Sequence, residues 1–214
     1  MLDYVMRLGE MGGVSGLLSE LDEQVLSPRQ LARPALPAGG LAELEKRATA
    51  CFTTERWDEA LIWYGELCRT AAPTVDWRKV LLAIGRCLLY LDDHLGALAV
   101  FERLAPLQPE DFDTQFYLGR TRQLLHRYGP AIEALSRANL LRPSTHKCLV
   151  ALGQACHLGL SGGYGVVEPL PGSGGYAELA TIAYRAAIAA KPGDRTAYQP
   201  VDKILVLLAR PNIL

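Results

Sequence analysis

A repeat with a period of 34 residues constrains the fold of this chain more than any other feature of its sequence. Three types of residue recur at this spacing: Gly85, Gly119 and Gly153; Ala97 and Ala131; Pro109 and Pro143. Self-similarity at a fixed period of about 20 to 50 residues is the signature of arrays in which each unit stacks on its neighbours. The chain is therefore predicted to be a repeat array, and 214 residues provide several repeats.

Each repeat is predicted to be two helices joined by a short turn. Between Gly85 and Pro109 the apolar residues fall at helical spacing in two blocks: Leu81, Ile84 and Leu88, then Leu98, Phe101 and Leu104. Asp92, Asp93 and His94 form a polar turn between the blocks. The repeated glycines and alanines leave room for two helices to cross closely. The prolines end the second helix, because proline cannot continue a helix beyond its first turn.

These positions resemble the tetratricopeptide repeat (TPR) family, whose pattern is W-x2-L-G-x2-Y, then A-x3-F, then P. The best copy is Leu81, Ile84, Gly85, Leu88, Ala97, Phe101 and Pro109. The next copy is Gln115, Leu118, Gly119, Arg122, Ala131, Leu135 and Pro143, in which Gln115 and Arg122 depart from the apolar pattern. The resemblance implies an all-α, right-handed superhelical solenoid of about four TPR-type helix pairs, with an N-terminal extension and a C-terminal capping helix.

The repeats divide the chain into three predicted regions. Residues 1–40 contain a helix and a linker rich in proline and alanine, 41–194 form the solenoid, and 195–214 form a capping helix. An earlier copy begins near Leu41. The last copy is split, because Ala180 follows Ala131 by 49 residues, which is one period plus 15. An insertion at 158–175, rich in glycine and proline, is predicted between its two helices.

The two segments outside the regular pattern leave alternatives open. Leu17, Leu18, Leu21 and Val25 form one helical stripe. This helix either caps the first repeat or docks in the groove of this protein or of a partner. The insertion carries Tyr164, Val166, Val167 and Leu170. It either folds over the groove as a lid or is a solvent loop without function.

Composition and motifs argue against catalysis and against several classes of partner. Lys and Arg total 22 against 23 Asp and Glu, so no net field favours nucleic acid or an anionic membrane. No apolar run reaches the length of a membrane span, and a cytoplasmic location is expected. The five cysteines are widely spaced and suit reduced thiols. The glycine-rich runs lack a phosphate-loop context, so neither a catalytic residue nor a metal or cofactor site is predicted.

The first helices of stacked pairs line a concave face, and every third or fourth residue along them is predicted to face a partner. The predicted partner-binding residues are Lys79, Leu82, Arg86, Leu89, Phe116, Arg120, Gln123, Lys147 and Gln154. Arg86 and Arg120 occupy equivalent places in adjacent repeats and are the predicted contacts for an anionic group. The leucines and Phe116 are the predicted apolar anchors. The alternative is that both arginines are solvated, with their stems lying on apolar surface.

The resulting hypothesis is a non-enzymatic adaptor or chaperone-like module that binds a peptide or helix of another protein in the concave groove. A second hypothesis is an accessory or substrate-recruiting subunit of an enzyme complex, such as a transferase, a hydroxylase or a secretion machinery. A third is self-assembly, in which the N-terminal helix of one copy fills the groove of the next. One subtype of the family grips a terminal carboxylate, but Glu45 and Thr49 stand where its first lysine and asparagine are expected.

Overall fold

The computed structural model describes residues 16, 20, 22–26, 37, 39–70, 75–161, 175–198 and 200–202. Within these ranges eight α-helices follow one another in four pairs: α1 (Gly40–Thr53) and α2 (Trp57–Thr70), α3 (Trp77–Tyr90) and α4 (His94–Leu104), α5 (Phe112–Leu124) and α6 (Tyr128–Leu141), α7 (His146–Ser161) and α8 (Tyr176–Ala190). A π-helical turn at Asp22–Leu26 precedes them, and a 3₁₀ turn at Arg195–Ala197 follows. The described part of the chain contains no strand.

The chain divides into two compact units, Met1–Pro109 (unit 1) and Glu110–Leu214 (unit 2). Helices α1 to α4 belong to unit 1, and α5 to α8 belong to unit 2. In each unit the two helices of a pair pack against each other, and neighbouring pairs also pack together. The apolar side chains between the helices are almost completely buried, as at Leu44, Leu81 and Phe101 in unit 1 and at Leu135 and Tyr184 in unit 2.

At the repeated glycines the two helices of a pair pack too closely for a Cβ atom. A Cβ atom at Gly85 would lie 2.6 Å from the ring of Phe101, and one at Gly119 would lie 2.6 Å from Leu135 Cγ. At Gly153 it would lie 2.8 Å from the ring of Tyr184. The first two contacts join residues 16 apart, and the third joins residues 31 apart, which is 16 plus 15. The fourth pair therefore makes the same contact despite its longer connection.

Aspartates at two predicted turns act as helix caps. The side chain of Asp93 accepts a hydrogen bond from the backbone N–H of Gly96 (2.8 Å) at the start of α4. Asp111 accepts one from the N–H of Thr114 (2.7 Å) at the start of α5. Each bond satisfies an N–H group that has no partner within the helix. Asp93 and Asp111 therefore cap the N-termini of α4 and α5.

The described part of the N-terminal segment packs on the second helices of unit 1. Val25 and Leu26 are buried against this unit, and Leu26 lies beside Gly65 of α2. Asp22 pairs with Arg69 of α2 at 3.1 Å, and Glu20 pairs with Arg103 of α4 at 3.1 Å. The side chain of Gln24 also accepts a hydrogen bond from Arg103. Apart from residues 37, 39 and 40, the predicted linker lies outside the described residues.

Two other predicted segments are described in part. Helix α7 continues to Ser161, so the first four residues of the predicted 158–175 insertion are helical, while 162–174, with Tyr164, Val166, Val167 and Leu170, lie outside the described residues. The predicted C-terminal helix begins after the 3₁₀ turn, and 203–214 lie outside them. None of the described helices combines the length and apolar character that crossing a membrane requires.

Polar contacts of the His146 ring join the start of α7 to the turn after α8 in unit 2. His146 Nε2 lies 3.0 Å from Asp194 Oδ2, and His146 Nδ1 lies 2.9 Å from the carbonyl oxygen of Ala187. Hydrogen bonds from the backbone N–H and the hydroxyl of Thr196, together with the His146 ring, lower the pKa of Asp194 to about 2. The carboxylate of Asp194 therefore connects the 3₁₀ turn to the start of α7.

Candidate functional site

In unit 1 the first helices α1 and α3 meet at Arg86. Its guanidinium lies over the ring of Phe52, with Cζ 4.5 Å from the ring centroid. Leu82 and Leu89, on the same helix, are half-buried. Lys79 is exposed at the start of α3 and pairs with Asp76 at 3.2 Å. The four predicted residues of this unit therefore lie along one helix, with a cation held on an aromatic ring between two partly exposed leucines.

An aromatic cluster extends this surface beyond the predicted residues. The ring of Trp57 stacks on Tyr90, with centroids 4.3 Å apart and planes 19° apart, and meets Phe52 edge-on at 5.1 Å. Tyr90 is 47% exposed. Neither Trp57 nor Tyr90 was singled out from the sequence as a binding residue. The spacing contains the signal, because Tyr90 follows Arg86 by four residues and so lies on the same face of α3.

In unit 2 the predicted residues Phe116 and Lys147 contact each other across the first helices α5 and α7. Lys147 Nζ lies 4.8 Å from the centroid of the Phe116 ring and 4.0 Å from Asp113 Oδ1. The Phe116 ring also packs against Phe112 (5.8 Å) and Tyr117 (5.2 Å). As a result Phe116 is only 6% exposed. In this structure Lys147 covers the residue that was predicted as an apolar anchor.

Arg120 and Gln123 form a second polar group on α5. Arg120 Nη1 donates a hydrogen bond to Gln123 Oε1 at 2.8 Å, and Gln123 is buried. Within the described residues, no carboxylate oxygen lies within 4.0 Å of the Arg120 guanidinium nitrogens. Burial lowers the pKa of Arg120 below its usual value. Arg120 is thus a partly desolvated cation whose neighbour is a neutral amide.

A cavity of about 450 Å³ opens beside this group within unit 2. It is lined by Arg120, Gln123, Leu124, His126, Tyr128, Gln154, His157, Leu158, Tyr184 and Pro200. Three predicted residues, Arg120, Gln123 and Gln154, therefore converge on one space. His126 Nδ1 and the Tyr128 hydroxyl are 2.8 Å apart at its edge. The exposed lining residues are Leu124 (40%), Leu158 (43%) and His126, so the rim is only partly apolar.

The sequence interpretation missed most of this lining. Tyr128 begins α6, Leu158 lies near the end of α7, and Pro200 follows the last repeat. No periodicity links these positions, because they come together only through the packing of α5 to α8. His157 was included in the predicted helix register but was not selected as a binding residue.

The cysteines are buried thiols in both units. Burial raises the pKa of Cys68, Cys87, Cys148 and Cys156 to about 12 in each case. Burial also raises the pKa of Cys51. Thiols that stay protonated at neutral pH are poor nucleophiles and poor metal ligands. In the described ranges no cluster of three His, Cys, Asp or Glu side chains could hold a metal ion.

Two features define the class of protein as an array with the TPR fold. The helices of a pair meet at a glycine, and side chains of successive first helices pack on one another. Neither protein-family models nor curated proteins match the sequence. Solved structures do match. MamA (41-end) from Desulfovibrio magneticus RS-1 is similar at a TM-score of 0.64 and 18% identity, covering 78% of this chain and 85% of that one.

A second similar structure is the first TPR of Spaghetti (RPAP3), solved with an HSP90 peptide. Its TM-score is 0.52 at 16% identity, and the match covers 62% of this chain and 94% of that one. MamA AMB-1 matches at a TM-score of 0.63 and 15% identity, over 79% of this chain and 82% of that one. At these identities the likeness is one of fold. The chain has the TPR fold, as its 34-residue repeat predicts.

Proposed function

We propose that this protein is a non-catalytic adaptor or chaperone-like module that binds an extended segment or helix of a partner protein on its first helices. The proposal is carried by the surface of unit 1, where Arg86 lies over Phe52 with Leu82 and Leu89 on either side along α3. A partly exposed cation beside apolar and aromatic side chains is typical of the residues that dominate protein interfaces. A cytoplasmic location accompanies this proposal.

In unit 1 the partner contacts that we propose are Lys79, Leu82, Arg86 and Leu89, and in unit 2 they are Arg120, Gln123, Lys147 and Gln154, with Arg86 and Arg120 as contacts for anionic groups. Phe116 is too deeply buried to contact a partner, whereas the equally buried Gln123 lines the open cavity. Each unit contributes its own cation. Unit 2 adds Lys147, which is 52% exposed in its side chain, and the amide of Gln154. For the domain organisation we propose three regions, 1–40, 41–194 and 195–214, with an insertion from 158 to 175.

Similarity to a peptide-binding domain supports the proposal at the level of its class. RPAP3 was solved with the HSP90 peptide SRMEEVD on its first TPR. In this chain Glu45 and Thr49 stand where the family resemblance places the first lysine and asparagine of a terminal-carboxylate clamp. A carboxylate at position 45 would repel such a ligand. We therefore propose a different partner segment for the first repeat.

Affinity capture from native host lysate tests this proposal. The full chain is compared with R86E/R120E and with the matched control R137E/R185E, which reverses two exposed arginines on the second helices α6 and α8. A partner retained by the wild type and the control but lost by R86E/R120E supports the proposal. Circular dichroism establishes that helicity is equal in all three proteins. A partner retained equally by all three contradicts the arginine assignment, and an enzyme among the retained proteins favours the accessory-subunit hypothesis.

Self-assembly is tested separately by sedimentation velocity. A concentration-dependent oligomer that disappears when residues 1–40 are deleted would support exchange of the N-terminal helix between copies. A monomer at every concentration contradicts it. Burial of Leu26 against α2 of its own chain is the contact that such an exchange would have to replace.

A further inference from the structure

We propose that the cavity of unit 2 is a binding site for a single carboxylate carried on a short apolar group. The inference deepens the proposed function at Arg120 and rests on it, since both require this residue to contact a ligand. It adds a defined pocket, a ligand charge and a ligand shape. The source of the carboxylate is either a small organic acid or the last residue of a partner polypeptide.

The cavity is large enough for a small ligand. Its volume of about 450 Å³ lies within the ~300–1,000 Å³ that is typical of ligand pockets. The cavity also opens at an edge formed by Leu124 and Leu158, both of which are partly exposed.

The charge of the site favours an anion. Arg120 contributes a permanent positive charge, and no Asp or Glu is among the described residues that line the cavity. Burial lowers the pKa of Arg120, which means that its charge is incompletely solvated in the unliganded protein. A carboxylate in the cavity would replace the lost solvation, and the planar guanidinium can donate two parallel hydrogen bonds to it.

Neutral donors near Arg120 can complete the coordination of a carboxylate. Gln123 uses its Oε1 to accept from Arg120, so its NH₂ group points its hydrogens elsewhere. Gln154 offers a second amide from α7, and the Tyr128 hydroxyl lies beside His126. Arg120 is the one permanent cation among the described lining residues, which also include the imidazoles of His126 and His157. One permanent cation matches one negative charge, whereas a phosphate monoester carries between one and two charges. A monocarboxylate is therefore the matching group.

Apolar side chains in the lining favour an apolar group next to the carboxylate. They include Leu124, Leu158, Pro200 and Tyr184, and the two leucines are partly exposed. A ligand whose carboxylate reaches Arg120 would place the atoms next to it against these side chains. Apolar contact contributes about 25 cal/mol per Å² of surface removed from water, so a stem of several carbons adds affinity that acetate lacks.

Calorimetric titration of the full-length protein with defined probes tests the inference. The small-molecule probes are octanoate and octanol, which share a stem and differ in the carboxylate. The polypeptide probes are one short peptide that ends in a free leucine carboxylate and the same peptide with a C-terminal amide. We expect saturable binding of octanoate, of the free-acid peptide, or of both, with Kd below roughly 1 mM. The octanol and the amide should bind at least tenfold more weakly.

Variants locate the site. Arg120→Gln should weaken binding of the carboxylate probe roughly 10- to 100-fold, because it removes charge-assisted hydrogen bonds. Arg120→Lys, which keeps the charge without the planar fork, should fall between. The matched control is Arg137→Gln, an exposed arginine on α6. Leu158→Asp places a negative charge at the rim and should weaken binding even if Arg120→Gln folds poorly, and Leu140→Asp, at a 78% exposed site, is its control.

The titrations decide two questions separately: whether the cavity binds a carboxylate, and whether that carboxylate belongs to a small acid or to a polypeptide end. Octanoate binding without peptide binding assigns a small organic acid, and the reverse assigns a polypeptide end. Equal binding of octanol and octanoate, equal binding by Arg120→Gln and wild type, or no binding of either acid below roughly 10 mM overturns the inference. A failed lysate capture leaves these purified-probe results intact, so failure of the proposed function is distinguishable from failure of this site.

Discussion

Replacing Gly85 with alanine tests the close helix contact on which the repeat depends. The added Cβ would lie 2.6 Å from both Cε1 and Cζ of Phe101, whereas carbon atoms in contact are normally about 3.5–4.0 Å apart. Phe101 is fully buried, and close-packed surroundings leave its ring little room to move. The substitution must therefore separate α3 from α4 or force the ring away from its preferred rotamer.

Two opposing effects set the magnitude. An overlap of about 1 Å places the packing cost near the upper end of the ~1–3 kcal/mol measured for overpacked cores. Alanine returns about 1 kcal/mol, because glycine is the weaker helix former. The expected net loss for G85A is about 2 kcal/mol, which corresponds to a fall in Tm of roughly 4–8 °C for a chain of this size.

Gly65 provides a matched control in the same unit. Both glycines are the ninth residue of a 14-residue helix, Gly85 in α3 and Gly65 in α2. A Cβ at Gly65 would have Leu26 Cδ1 as its nearest neighbour, at an ordinary 3.6 Å. G65A should therefore keep the gain in helix propensity, up to about 1 kcal/mol, without a packing cost. The two variants should move stability in opposite directions.

Urea unfolding followed by circular dichroism measures both changes, and constant m-values show that the unfolded state is unaffected. Phe101→Leu supplies the internal check, since leucine lacks the ring atoms that clash. In that background the cost of G85A should fall to less than about 1 kcal/mol, a coupling that contacting residues show. G85A as stable as G65A, or a cost that Phe101→Leu leaves unchanged, would refute the reasoning.

Three further changes test other parts of the fold. Because the pKa of Asp194 is lowered to about 2 in the folded protein, its contribution is present at neutral pH and is lost as the pH falls from about 4 to 2; the stability difference between wild type and D194N, from unfolding curves at several pH values, should narrow over that window. D111A should cost about 1 kcal/mol through loss of the α5 cap, and E110A, next to it but exposed, should cost less than about 0.5 kcal/mol in the same denaturation assay. L26A should cost about 2–5 kcal/mol if the N-terminal turn is part of the core of unit 1, and L140A, at an exposed site, should stay within about 0.5 kcal/mol; equal effects would show that the turn does not stabilise the unit.

Local sequence spacing was sufficient to predict the helix pairs. The residues that define a pair lie within one repeat, as with Gly85 and Phe101, and helical periodicity alone places them on facing sides. The turn at Asp93 was also predictable, because a short acidic side chain can cap a helix by accepting a bond from the residue three positions later, as Asp93 does from Gly96. The longer connection of the last pair was visible as a shift of 15 residues.

Local sequence spacing did not predict which candidate binding residues are exposed. Phe101 and Phe116 are both aromatic residues on predicted helices, and both are buried, but different contacts bury them. Phe101 packs against Gly85 within its own repeat, whereas Phe116 contacts Lys147 from the next first helix as well as Phe112 and Tyr117 of its own helix. Gln115 interrupts the apolar pattern and is nevertheless buried at 2% exposure. The residue pattern of one helix does not predict which side chains of another helix will contact and bury its residues.

The sequence by itself determined the fold class, the order of the helix pairs and the glycine contacts, because these depend on residues close together in the chain and on the 3.6-residue period of a helix. Only the tertiary structure decided the cavity of unit 2. Its lining runs from Arg120 to Pro200 and includes side chains from four helices, α5 to α8, and from two further segments. The shape and charge of such a space depend on how whole helices pack. The spacing of residues within one repeat does not determine that packing.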